Sequence, residues 1–127
     1  MEALFWLLLQ VFRAQSKQTA KTQCKSVGAH VVTVNSSSEQ EFITLTVIPP
    51  SQVTWTGLER DLNSGSFTNW DDGSPVEYTD WGRDRPSSLE SGMHCVTLRP
   101  HNTDPSNYVW NDIPCSNKRA FVCEQEA

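Results

Sequence analysis

The chain has 127 residues, of which 10 are Lys or Arg and 15 are Asp or Glu, for a formal charge of −5. This is the length of one domain, and with no basic run longer than two residues it lacks the electrostatic footprint of a nucleic-acid binder. Four cysteines, five tryptophans, six glycines and seven prolines describe a loop-rich domain with aromatic anchors.

From the N-terminus, Ala3 to Phe12 is apolar apart from Gln10, and Ala14-Gln15-Ser16 follows with small residues. That run has the length of a secretory signal's hydrophobic region and falls short of a membrane span. Glu2 stands where a signal carries Lys or Arg, and a first strand over Leu7 to Phe12 explains the run as well. Residues 1–16 are therefore either a signal peptide or an incomplete first strand, and the domain proper is expected over 17–127.

Ala20 and Cys24 share one face of a short helix that Gly28 ends, with Lys17, Lys21 and Lys25 expected on the solvent side. His30 to Val34 reads as a short strand. Ser36 with Glu39 forms a capping box, and Phe42, Ile43 and Val47 continue one side, so a second helix is expected from about Ser37 to Thr46, stopped by Pro49-Pro50. Asn35-Ser36-Ser37 is also a glycosylation sequon if the chain is secreted.

Val53 to Gly57 reads as a strand, Met93 to Leu98 and Tyr108 to Asn111 alternate as strands do, and Arg119 to Glu124 is the last strand. Between Gly57 and Met93 runs a long stretch of turn-formers studded with Trp70, Tyr78 and Trp81, and loops of that kind carry function. Trp55, Trp70 and Trp110 are expected as core anchors, while Trp81 and Tyr78 lie nearer the loop surface. Asp71-Asp72-Gly73 reads as a turn.

The cysteines at 24, 95, 115 and 123 form no Cys-x-x-Cys pair. An even number in a small loop-rich domain fits two disulfides and an oxidising, extracellular setting, with three pairings open. His30, His94 and His101 lack a zinc-site spacing, and no Ser-His-Asp set, Cys-His set or phosphate loop can be assembled, so an enzyme is not expected.

The ordered pieces resemble a C-type lectin-like domain from about Lys17 to Glu124. They are Ala20 and Cys24; Gly28 to Val34 leading into Ser36, Glu39 and Phe42; Trp55-Thr56-Gly57-Leu58; Phe67 to Pro75; Tyr78 and Trp81; Cys95; and Trp110-Asn111-Asp112-Ile113-Pro114-Cys115 with Phe121-Val122-Cys123-Glu124. The resemblance implies an α+β fold of two helices flanking antiparallel sheets, a long functional loop, and the disulfides Cys24–Cys123 and Cys95–Cys115. It also implies extracellular recognition of a carbohydrate or glycoprotein, or, without calcium, of a protein ligand.

Sugar-binding members hold calcium with a Glu-Pro-Asn or Gln-Pro-Asp loop, a Glu-Asp pair before the third-last cysteine, and the Asn-Asp of the Trp-Asn-Asp strand. Here those positions read Arg85-Pro86-Ser87, Met93-His94 and Asn111-Asp112. Arg85, Ser87, Asn111 and Asp112 are thus the expected ligand-binding residues, with Asn111 and Asp112 the residual metal ligands. Two side chains on one strand cannot supply the roughly six to eight oxygens that calcium takes. Arg60 and Ser64 likewise stand where the family's accessory calcium positions would have acids. A guanidinium from Arg85 facing Asp112 is the expected substitute for the cation.

Overall fold

The computed structural model describes residues 8–125, which form six strands and two helices. Strand β1 spans Leu8–Gln15, helix α1 Lys17–Ser26, β2 His30–Val31, α2 Ser37–Phe42, β3 Thr54–Glu59, β4 Cys95–Pro100, β5 Tyr108–Ile113 and β6 Arg119–Gln125. The sheet order is β1-β6-β3-β4-β5, with β2 also pairing β6. The resemblance implied antiparallel sheets, but β3 runs parallel to β6 through Thr54↔Ala120 and Trp55↔Phe121, so the sheet is mixed. One edge of β6 is shared, because β3 bonds its first residues and β2 pairs His30 with Glu124 and Val31 with Cys123. Gly57 makes this crowding feasible. A Cβ there would lie 2.5 Å from the Val31 carbonyl oxygen, a separation no side chain tolerates.

Local chemistry sets the helix ends. Ser16 Oγ accepts from the Thr19 N–H at 3.3 Å to open α1. At the other end, Gly28 at φ 72° donates to the Lys25 carbonyl and Ala29 donates to that of Cys24, a Schellman closure. Ser36 Oγ accepts from the Glu39 N–H at 3.1 Å, while the Glu39 carboxylate reaches back to the Asn35 N–H at 2.6 Å. This is the expected capping box shifted by one residue on its return arm. Helix α2 then widens into a π-helical turn over Ile43–Val47. Its run Ile43-Thr44-Leu45-Thr46-Val47 is rich in β-branched residues, and the Thr44 and Thr46 hydroxyls donate back to the Gln40 and Phe42 carbonyls, which loosens the regular ladder.

Two disulfides tie the ends of this frame. Cys24–Cys123 joins α1 to β6 across 99 residues, and Cys95–Cys115 joins the start of β4 to the segment after β5 across 20. In the chain-entropy picture each loop closure stabilises the fold by roughly 3–5 kcal/mol. The core lies on both sides of the sheet. One part gathers Val32, Val34, Leu58, Trp70, Val96 and Trp110; the other gathers Ala20, Cys24, Trp55, Phe121 and Cys123.

The fold overturns one expectation for α1. Lys17 does not face solvent: it is 1% exposed, with Nζ 3.0 Å from Glu59 Oε2 and 3.3 Å from Asp71 Oδ2. Lys21 completes the cluster at 3.1 Å from Glu59. Burial is affordable because two carboxylates face one buried ammonium. Lys17 lies three residues before Ala20 and seven before Cys24, on the buried stripe that these two define.

Candidate functional site

Trp110 organises the ground beneath the long loop. Its ring is fully buried and meets Trp70, Tyr78 and Trp81 edge-on, with centroids 5.5, 5.8 and 5.5 Å away. Its indole N–H donates to Gln40 Oε1 at 2.8 Å, and the Gln40 amide donates onward to Asp80 Oδ2 and the Tyr108 carbonyl. Tyr78 and Trp81, placed by the sequence near the loop surface, are therefore half-buried struts that hold the loop against β5.

Along β5, burial alternates: Tyr108, Trp110 and Asp112 are buried, while Val109, Asn111 and Ile113 are half-buried. Pleating therefore separates the adjacent Asn111 and Asp112 onto opposite faces of the strand. Asp112 is fully buried. Its Oδ2 accepts from the Ser87 N–H at 2.7 Å and from Arg60 Nη2 at 3.4 Å. Its Oδ1 accepts from Arg85 Nη1 at 3.1 Å and from Ser87 Oγ at 3.4 Å. The same Arg85 nitrogen donates to the Asp112 main-chain carbonyl at 2.6 Å, so the guanidinium grips both ends of the residue.

Arg60 is the residue that sequence reasoning missed as a centre of the site. It is 8% exposed, at the end of β3, and its guanidinium sits among oxygens. Nη1 donates to the Gly65 carbonyl at 2.9 Å; Nη2 donates to the Ser87 and Met93 carbonyls at 2.8 and 3.0 Å and reaches Asp112. Nε donates to His94 Nδ1 at 3.0 Å, and the guanidinium carbon lies 4.6 Å from the Phe67 ring centroid. Met93 and His94 thus contribute main-chain and ring acceptors where the resemblance led us to look for carboxylates. The signal in the sequence was the basic residue at position 60 in a loop expected to carry acids.

The donor set does not fit a hard divalent cation. Asp112 supplies one carboxylate, and both of its oxygens are engaged by two guanidiniums and the Ser87 N–H. Among the described residues no group of three or more His, Cys, Asp or Glu is placed to hold a metal ion. Arg60 instead collects, with its directional N–H groups, the kind of oxygen cage that a cation would collect.

The sequon asparagine is also built into the structure. Asn35 Oδ1 accepts from the Trp70 indole at 3.1 Å and the Glu77 N–H at 2.8 Å, and its Nδ2 donates to the Pro75 carbonyl at 2.9 Å. Asp71 turns inward to Lys17, while Asp72 caps the turn by accepting from the Ser74 N–H at 2.9 Å.

A two-disulfide, two-helix domain with a long loop packed over a Trp-Asn-Asp strand is a domain of the C-type lectin-like fold. The chain belongs to the C-type lectin domain family: the model of the Lectin C-type domain matches residues 13–125. Among its relatives, the low affinity immunoglobulin epsilon Fc receptor of Mus musculus is 34% identical over 129 residues, covering 96% of this chain and 36% of that protein. Salivary C-type lectin 2 of Aedes albopictus is 35% identical over 72 residues, covering 57% of this chain and 48% of that one. The chain thus spans less than half the length of these curated relatives. A solved structure of similar fold is the C-type lectin domain of murine dendritic cell inhibitory receptor 2 in complex with N-glycan, with TM-score 0.77, 26% identity, and coverage of 96% of this chain and 94% of that one. Members of this family are binding domains rather than enzymes. No helix among the described residues is long and apolar enough to cross a membrane.

Proposed function

We propose that this chain is an extracellular recognition domain that binds a glycan or glycoprotein without calcium. The supporting observation is the pair of guanidiniums, Arg60 and Arg85, converging on the buried Asp112 carboxylate. In this reading they replace the cation as the element that fixes the loop, so loop order no longer depends on a dissociable ion. Asp112 acts from inside, holding Ser87 and Arg85 in place. Arg85, Ser87 and Asn111, each half-buried, form the edge that meets ligand. The glycan class is carried over from the murine neighbour solved with N-glycan. The extracellular setting rests on two disulfides with no free cysteine.

A glycan array run with calcium and again with chelator tests this directly. Binding that survives chelator is the expected result, and calcium should leave the melting temperature unchanged, since an ion bound only to the folded state would raise it. Glycan binding that vanishes with chelator would overturn the proposal. Silence under both conditions would overturn its glycan arm and leave a protein ligand.

A further inference from the structure

The loop that presents Arg85 also builds one wall of a groove beside β5. The Gly82 N–H donates to the Trp110 carbonyl at 2.8 Å, and the Trp110 N–H donates to the Asp80 carbonyl at 2.8 Å, so this stretch runs alongside the strand. The other wall is the end of β4 and the turn after it, closed by the His101 N–H on the Asn107 carbonyl at 2.8 Å. Between them lies a cavity of about 490 Å³, whose walls include Arg83, Arg85, Arg99, His101, Asn102 and Asn111. That volume is within the range of small-ligand sites.

The charge of this groove opposes that of the molecule. Acidic residues outnumber basic ones 15 to 10 in the chain, yet three arginines and no carboxylate line the groove. Neither Arg83 nor Arg99 forms an ion pair among the described residues, and Arg99 Nη2 donates to Asn102 Oδ1 at 3.0 Å. Of the neighbouring carboxylates Asp112 pairs with Arg85, while Asp84 and Asp104 form no ion pair with these arginines among the described residues. Asp104 accepts from Ser106 and Asn107, and Asp84, exposed between Arg83 and Arg85, is not part of the lining. Arg85 uses Nη1 on Asp112 while its side chain stays 31% exposed. Because Arg60 shares that carboxylate, two cations face one anion and a positive excess remains.

We propose that this groove binds the anionic group of an acidic saccharide, a sulfate ester or a uronic carboxylate. The planar fork of Arg matches the paired oxygens of such groups, and the amides of Asn102 and Asn111 offer both donors and acceptors for ring hydroxyls. The inference rests on the reading of the domain as a glycan binder and adds the charge class of the glycan.

The test is calorimetry in chelator at low salt, with a sulfated heparin octasaccharide, its fully desulfated, N-acetylated and carboxyl-reduced counterpart, which carries no charge, and sodium sulfate as competitor. The sulfated sugar should bind at least about tenfold more tightly than the desulfated one, and Arg83→Ala with Arg99→Ala should remove about as much. Rising salt should weaken binding, because exposed charges are screened. The melting temperature of each double variant accompanies its titration, and Arg83→Lys with Arg99→Lys, which keeps the charge without the planar fork, should bind more tightly than the alanine pair and less tightly than the parent chain. Equal binding of the two sugars, no binding of the sulfated one, or a folded alanine double variant that binds like the parent chain would each overturn the inference. So would sodium sulfate displacing the octasaccharide at equal concentration, the mark of an adventitious anion only. Equal, chelator-resistant binding would refute the charge preference and leave calcium-free recognition standing, whereas a calcium requirement would refute the latter.

Discussion

Arg60 Nη2 and Asp112 Oδ2, contributed by residues 52 apart in the chain, lie 3.4 Å apart in an interior where Asp112 is fully buried. The pair joins the end of β3 to β5, and three main-chain carbonyls around Arg60 bring the loop into the same contact. Arg60→Met should therefore destabilise the domain by about 3 kcal/mol, because it strips one partner from a buried charge and leaves carbonyls without donors. Arg85→Ala should cost less, since that side chain is 31% exposed. Urea denaturation of the two variants checks the order; equal losses would show that Arg60 contributes no more than its surface neighbour.

Restoring calcium requires more than restoring the acids. Arg85→Glu with Ser87→Asn reinstates the family's loop pattern, but Arg60 still occupies the oxygens of Ser87, Met93 and Asp112. The double variant is expected to show no calcium heat in a calorimetric titration. Adding Arg60→Ser, which vacates the cage and removes a fixed positive charge, should bring measurable binding. Calcium binding by the double variant alone would show that Arg60 is displaced easily.

The Lys17 cluster should give stability an acid dependence with two opposed parts. Burial alone would raise the pKa of Glu59, yet Lys17 and Lys21 overcome it, and the net shift is downward. A lowered carboxylate stabilises the fold above its unfolded pKa, and that contribution is lost as pH falls through the folded value. Asp71 shifts the other way, raised by burial and by Glu59 against the pull of Lys17, so its protonation favours the fold as pH falls. Glu59→Gln should flatten the loss of melting temperature between about pH 6 and pH 3, and Asp71→Asn should steepen it. Thermal melts across that window check both signs.

The cluster also shows where sequence reading stopped. Helix caps, the cysteine framework and the aromatic strand were legible because each depends on spacing within a few residues or on the ordered resemblance. Lys17 was not, since its partners arrive from β3 and from the loop at Asp71, and charge alone suggested solvent. Its spacing from Ala20 and Cys24 nevertheless marked the buried stripe. Arg85 facing Asp112 could be anticipated from the charge reversal at one position. The role of Arg60 could not, because it depends on carbonyls from Gly65, Ser87 and Met93 that only the folded loop gathers.

Asn35 should carry no glycan in the folded product, although its sequon is intact. Its amide accepts from Trp70 and Glu77 and donates to Pro75, so a sugar replacing one Nδ2 hydrogen would crowd the Pro75 carbonyl and strain the bonds that hold the amide in place. The intact mass of protein secreted from a eukaryotic host should be unchanged by glycosidase. Asn35→Ala should cost about 2 kcal/mol, because it leaves the Trp70 indole and the Glu77 N–H without acceptors.

The first strand should matter as much as either disulfide. β1 pairs with β6 from Leu8↔Gln125 to Phe12↔Phe121 and again at Gln15↔Arg119. Phe12 stacks on Phe121 with ring centroids 5.2 Å apart, and the Trp55 indole donates to the Gln15 carbonyl at 2.7 Å. A chain beginning at Lys17 loses these contacts together: one edge of β6 opens, Phe121 loses its stacking partner, and a core tryptophan loses its acceptor. Phe12→Ala alone should cost about 2 kcal/mol, below the range for a fully buried Phe because Phe12 is only half-buried. The truncated chain should fall further, with Trp55 fluorescence shifted to the red and proteolysis beginning at β6. A truncated chain that melts at the same temperature as the full one would show that β1 adds nothing to the stability of the fold.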